Sequence, residues 1–102
     1  MSGNPLLAGL KPTHPGEVLR EDVLPALDIA KTEIAKRLGI SRAMLYAILE
    51  ERASVSPAMA LRLGRLLGTS AESWLNMQRD YDLRTLAHSM ADELSKIEPV
   101  AA

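Results

Sequence analysis

Two short helix-forming segments joined by one glycine constrain this chain more than any other feature. In IAKRLGISRAMLYAIL, Ile34 to Leu49, the residues Ile34, Ala35 and Leu38 recur at the spacing of one helical face. After the turn Met44, Leu45, Ile48 and Leu49 do so again. Gly39 sits where a helix ends in the left-handed region, and Ser41 is a capping residue for the segment that follows. The link between the two faces is too short for independent helices, so they must cross tightly. Ala35 is small enough for the crossing, Ile40 anchors the far side of the turn, and Leu45 and Ile48 lock the second helix onto the first. The second stripe leaves Arg42, Ala43, Tyr46 and Ala47 facing outward.

The remainder of the chain points to an all-α class. Of 102 residues 47% are hydrophobic but only 3% aromatic, with no Phe and one Trp. The core is therefore drawn from Leu, Ile, Val, Ala and Met, a set that favours helices over sheets. The length suits one domain. THPGEVLREDVL opens a first helix, in which Thr13 or His14 caps, Pro15 suits the first turn, and Val18, Leu19, Val23 and Leu27 form an apolar face. Pro25 then kinks or ends it. A second helix runs from Lys31 to Leu38, with Ala30 where a capping side chain belongs, an omission that costs about 1 kcal/mol. Ser56 and Pro57 open a fourth helix, which buries Met59, Ala60, Leu63, Leu66 and Leu67 and ends at Gly68. Thr69 and Glu72 form a capping box for a fifth. In that helix Leu83, Leu86, Ala87, Met90, Ala91, Leu94 and Ile97 carry an apolar stripe on toward Lys96, farther than a small core requires.

The central pair of helices is the helix-turn-helix pattern, whose second helix enters the DNA major groove while the first crosses the backbone. It predicts a five-helix bundle of the lambda-repressor-like type with an extended C-terminal helix. The expected organisation is a flexible arm over 1–12, a helix-turn-helix domain over 13–98 with its motif at 31–49 and its C-terminal helix at 70–96, and a frayed tail over 99–102. An αα-hairpin serving only as core needs the same alanine and glycine, so charge has to be weighed as well. The net charge is -1, but residues 31–65 carry seven basic and three acidic groups, a local +4, against -2 over 1–30 and -3 over 66–102. A phosphate responds to charge within roughly 8 to 10 Å of it, which makes the middle segment the candidate DNA surface.

The residues expected to bind DNA are Lys31, Lys36, Ser41, Arg42, Ala43, Tyr46, Ala47 and Arg52. Arg42 carries a fork that either reads guanine O6 and N7 or clamps a phosphate. Ala43 and Ala47 suit thymine methyls. Tyr46 reaches a phosphate or base edge, or else leans on the neighbouring helix. Lys31, Lys36 and Arg52 are placed for phosphates, whereas Arg62 and Arg65 are expected to face solvent.

No catalytic residue, cofactor or metal site is expected. His14 and His88 lie far apart, cysteine is absent, and the serines are explained as helix caps. Asp80 and Asp82 beside Tyr81 resemble a polar helix face more than an acid and base pair. Apolar runs are too short to span a bilayer, and MSGNPLLAGLKP lacks a cationic segment ahead of an apolar one. A cytoplasmic, nucleoid-associated protein without membrane contact is the expectation.

Three stretches carry a more specific likeness. HPGEVLREDVLPAL, KTEIAKRLGISR and VSPAMALRLGRLLGTSAESWLNMQRDYDL resemble the HigA-type antitoxins, a branch of the Cro-type (Xre) helix-turn-helix regulators. The likeness covers residues 12–84, with HPGE before the motif and SWLNMQ after it as its distinguishing marks. It implies a homodimer that binds double-stranded operator DNA at its own promoter and neutralises a HigB-type toxin, a small ribonuclease that cleaves messenger RNA. Such toxins are basic, which the acidic flanks suit. The C-terminal stripe is either the dimer seam or packs back on its own domain. A stand-alone regulator without a toxin, or a protein-binding adaptor, are the alternatives. One departure stands out: Glu50-Glu51-Arg52 replaces the Asn-Gly-Arg kind of turn common in the family, which removes a glycine and puts two carboxylates near the DNA.

Overall fold

The computed structural model describes residues 12–100, and its regular structure is entirely helical over that span. The expected arm, apart from its last residue Pro12, and the tail beyond residue 100 lie outside the described residues. Helix α1 (residues 15–27) is assembled from Pro15–Val18, a π-helical turn Leu19–Val23, and Leu24–Leu27. It is followed by α2 Lys31–Leu38, α3 Arg42–Leu49, α4 Pro57–Leu67, α5 Ala71–Ser89 and α6 Ala91–Ser95.

His14 rather than Thr13 caps α1, its Nδ1 accepting the Gly16 N–H at 2.9 Å. Of the two outcomes expected at Pro25, a kink or an end, the end does not occur, and the irregularity of the helix lies in the turn just before the proline. In a regular α-helix its ring would collide with the carbonyl four residues back, but here it follows a widened turn in which the Leu24 N–H bonds the Leu19 carbonyl. The helix therefore runs on to Leu27 and stops at Asp28, which adopts φ 54°. Ala30 offers no side-chain cap to α2, and its carbonyl instead accepts from Glu33 and Ile34, each at 3.0 Å. Gly39, at φ 75°, closes α2 as its position requires. Ser41 and Ser56 cap α3 and α4 by accepting from Met44 and Met59.

The core gathers Leu19 and Leu24 of α1, Ile34, Ala35 and Leu38 of α2, Leu45, Ile48 and Leu49 of α3, Met59, Ala60 and Leu63 of α4, and Trp74 of α5, with Val55 from the loop before α4. Each large aliphatic side chain removed from water in this way contributes about 1.5 to 3 kcal/mol. Met44, expected on the buried stripe, is instead 43% exposed. Leu45, Ile48 and Leu49 already complete an i, i+3, i+4 face, and Met44 falls on its edge. Leu66 and Leu67 are half-buried against the core.

The capping box expected from Thr69 and Glu72 does not form, and the cap falls one residue later. Ser70 is the cap, accepting the Ser73 N–H at 3.0 Å, while the Thr69 hydroxyl accepts the Trp74 indole N–H at 2.8 Å. The long C-terminal helix is also interrupted at Met90, with φ -99° and ψ 7°, so the described residues form six helices where five were expected. Neither glycine nor proline marks this point. Leu83 and Leu86 just before it are 63% and 52% exposed, and a helix without tertiary packing rests on weak local propensity alone.

α1 approaches the end of α3 at Gly16, where a Cβ would run into the Ile48 carbonyl. Replacing Gly16 with Ala is expected to destabilise the fold by about 1 to 3 kcal/mol through overpacking. Gly68, at φ 69° with open space around it, should cost only about 1 kcal/mol on the same change. Chemical denaturation of the two variants measures the difference.

Candidate nucleic-acid interface

Tight crossing of α2 and α3 leaves one face of α3 unused by the core. Ser41, Arg42, Ala43 and Tyr46 are exposed and Ala47 is half-buried. Arg42 makes no hydrogen bond or ion pair with any described residue, so its guanidinium is available to a ligand. Tyr46 is brought together with α2, its ring lying 5.7 Å from the Lys31 Nζ. That contact holds the Lys31 cation beside the start of α3. Lys36 is exposed on α2.

The uncapped start of α2 opens onto a groove of about 680 Å³ lined in part by Arg20, Ala30, Lys31, Thr32 and Tyr46. Because Ala30 supplies no side-chain acceptor and its carbonyl is taken by Glu33 and Ile34, the Lys31 and Thr32 amides keep their donors at the positive end of the helix dipole, beside the groove. A phosphate oxygen fits such an end without a cavity built for it.

Each acidic group in the basic middle segment has an arginine partner. Glu33 accepts from Arg37 at 2.9 Å and Glu50 from Arg52 at 2.7 Å. Glu51 is drawn to Arg20 on α1 at 3.3 Å. Since Arg20 comes from outside the segment, Lys31, Lys36, Arg42, Arg62 and Arg65 face no carboxylate within 4.0 Å among the described residues. Arg52 lies next to the end of α3 as expected, but its guanidinium is held by Glu50. Arg62 does not simply face solvent: its Nη1 donates to the Leu38 carbonyl at 2.7 Å, bracing the end of α2. Arg65 is exposed on α4.

Of the residues that hold this face, Gln78 carried no role in the sequence and His14 only that of a possible cap of α1. His14 is buried and meets the edge of Tyr81 at 4.9 Å. Gln78 is buried on α5, where its Oε1 accepts the Val55 N–H at 2.8 Å and its Nε2 donates to Asp82 at 2.9 Å. Within SWLNMQ, Gln78 thus braces the loop that follows α3, while HPGE brings Gly16 against the Ile48 carbonyl at the end of that helix. Among the described residues no group of three or more His, Cys, Asp or Glu is placed to hold a metal, and no helix is long and apolar enough to cross a membrane.

A short helix fixed against the core with its outer face unsatisfied defines the class: a helix-turn-helix domain. A helix-turn-helix family profile matches residues 19–74. Virulence-associated protein I of Dichelobacter nodosus is 42% identical over 71 residues, spanning 70% of this chain and 66% of that protein. The Pseudomonas aeruginosa antitoxin HigA, solved with the higBA promoter, is 37% identical with a TM-score of 0.81, covering 88% of this chain and 99% of that one. Antitoxin GraA in complex with its operator is likewise 37% identical, with a TM-score of 0.83 and full coverage of both chains. The chain belongs to the Xre-type helix-turn-helix family, in the branch of the HigA-type antitoxins.

Burial holds the His14 imidazole below its ordinary value of 6.5, against the opposing pull of Glu51 and Asp82. Its Nδ1 accepts the α1 capping bond, so the fold requires that nitrogen unprotonated. The unfolded chain takes up this proton first as pH falls, and stability declines below about 6.5 toward the lowered native value. The melting temperature is expected to show this decline, and His14→Gln to lose that part of the slope; thermal scans between pH 7.5 and pH 5, on the order of half-unit steps, measure it.

Proposed function

We propose that the protein is a dimeric, sequence-specific transcriptional repressor and antitoxin, which reads an operator at its own promoter with α3 and neutralises a HigB-type ribonuclease toxin. The observation that carries the reading is Arg42, exposed and without an intramolecular partner at the start of α3, in a chain 37% identical to antitoxins solved with promoter or operator DNA. Arg42 reads a base, Ala43 and Ala47 lie against thymine methyls, and Ser41 and Tyr46 contact the adjoining backbone. Lys31, Lys36 and the start of α2 meet phosphates. Arg52 joins them if Glu50 releases it.

Dimerisation is supported by Leu83, Leu86, Leu94 and Ile97, all large and exposed on α5, α6 and the segment just beyond. Two copies place their α3 helices in half-sites about 34 Å or a multiple apart. A charge of -3 over residues 66–102 suits a basic toxin. The site of action is the cytoplasm, at the nucleoid.

Arg42→Ala is expected to lower operator affinity by about 1 to 3 kcal/mol and relax preference at one base pair. Lys36→Ala should weaken operator and scrambled DNA alike and reduce the salt slope by about 1. Fluorescence anisotropy titrations on both DNAs at several salt concentrations decide, and equal losses on both for Arg42→Ala would remove the base-reading role. Co-expression with the adjacent gene tests the toxin: a co-purifying basic protein whose growth arrest is relieved supports an antitoxin, whereas operator binding alone leaves a stand-alone regulator.

A further inference from the structure

We propose that Arg20 is the positioning residue of the DNA-reading helix, holding the end of α3 by its backbone and drawing the Glu51 carboxylate back onto α1. The inference rests on the DNA-binding role of α3 given above.

The turn after α3 places Glu51 at φ 63°, in the left-handed region where a Cβ is disfavoured. A residue with a side chain persists there when its surroundings hold it. Arg20 supplies the hold. Its Nη1 donates to the Leu49 carbonyl at 2.6 Å and to Glu51 Oε2 at 3.3 Å, while its Nε donates to Glu21 at 2.8 Å. The Leu49 carbonyl belongs to the last turn of α3 and has no donor within that helix. A cation there also meets the negative end of the helix dipole.

Gly16 and Arg20 are four residues apart on one face of α1. Gly16 lets the helices touch at the Ile48 carbonyl, and Arg20 reaches the next one, at Leu49. Arg52 and Ala53 then return their amides to Ala47 at 2.8 and 3.1 Å, closing the turn. A glutamate thereby occupies the place of a glycine without leaving its charge beside the DNA backbone.

The test is a substitution cycle on the full chain. Arg20→Ala is expected to lose about tenfold in operator affinity, whereas Arg20→Ala combined with Glu51→Gly should bind within about twofold of Glu51→Gly alone. Glycine adopts the turn unaided and has no carboxylate to restrain. Wild-type affinity in Arg20→Ala overturns the proposal. So does a full loss that persists with Glu51→Gly and lowers the salt slope by about 1, the signature of a direct phosphate ligand. Should Arg20→Ala unfold, Arg20→Lys, which keeps the charge but loses the fork, carries the same cycle with a smaller loss. Amide exchange at Arg52 and Ala53 without DNA provides an independent reading, faster in Arg20→Ala and slow again in the double variant. Unchanged exchange overturns the hold on the turn. Exchange that behaves as expected in a protein unable to select its operator overturns the DNA reading and leaves that hold in place.

Discussion

The approach of Gly16 to the Ile48 carbonyl is the contact on which the placement of α3 depends, because it lets α1 lie against the helix end with no side chain between them. Three of the eight residues of α3 are buried. So short a helix would not be stable alone, and the face meant for a ligand cannot also serve packing. Its order comes from the frame. Ser41 closes its start, Arg62 secures the preceding turn through Leu38, and α1 closes its end. The loop beyond is then held from the far side by Gln78 through the Val55 amide. An exposed side chain such as Arg42 gains from this arrangement, since order in the helix that carries it lowers the entropy lost when it meets a ligand.

The same frame resolves the conflict between acidic residues and a polyanionic ligand. Repulsion between a carboxylate and a phosphate acts within about a Debye length, so it matters whether Glu33, Glu50 and Glu51 stand alone. None does. Two of the pairings, Glu33 with Arg37 and Glu50 with Arg52, are exposed and contribute little to stability. Their effect is on the field, which they make more uniformly positive around Arg42 and the two lysines. Glu51 differs, because its pairing crosses between helices and shapes the backbone as well.

How much of this was legible in the sequence follows from the range of each interaction. Local signals read well. Ser41, Ser56, Gly39 and Gly68 announce the ends of α2, α3 and α4, since capping and left-handed turns are decided within a few residues. Pro25 was half legible: it marked an irregular stretch of helix but not that the π-turn ahead of it removes the collision and lets the helix continue. Thr69 misled because two acceptors compete locally, and a long-range demand decided between them: the buried Trp74 indole needs a partner, which frees Ser70 to cap. The outward face of α3 was readable from its periodicity. What supports it was not, as Arg20, Arg62 and Gln78 act across 23 to 31 residues of sequence. The only trace they left was their presence in stretches that resemble a family.

Helix α5 joins the two ends of the argument. Its first turns are tied down by Trp74 on Thr69 and by Gln78 on Val55, and Tyr81 meets His14 edge-on. Beyond Asp82, Leu83 and Leu86 continue at helical spacing and stand exposed among the described residues. Ions or hydrogen bonds alone do not explain large aliphatic side chains held in water, because each exposed one forgoes the burial that stabilises the rest of the core. The anchored half fixes the direction in which the uncovered half projects. Leu83 and Leu86 are thereby held in a fixed placement relative to α3. The His14 contact with Tyr81 and the Gln78 bond to Val55 tie this helix to α1 and to the loop that follows α3.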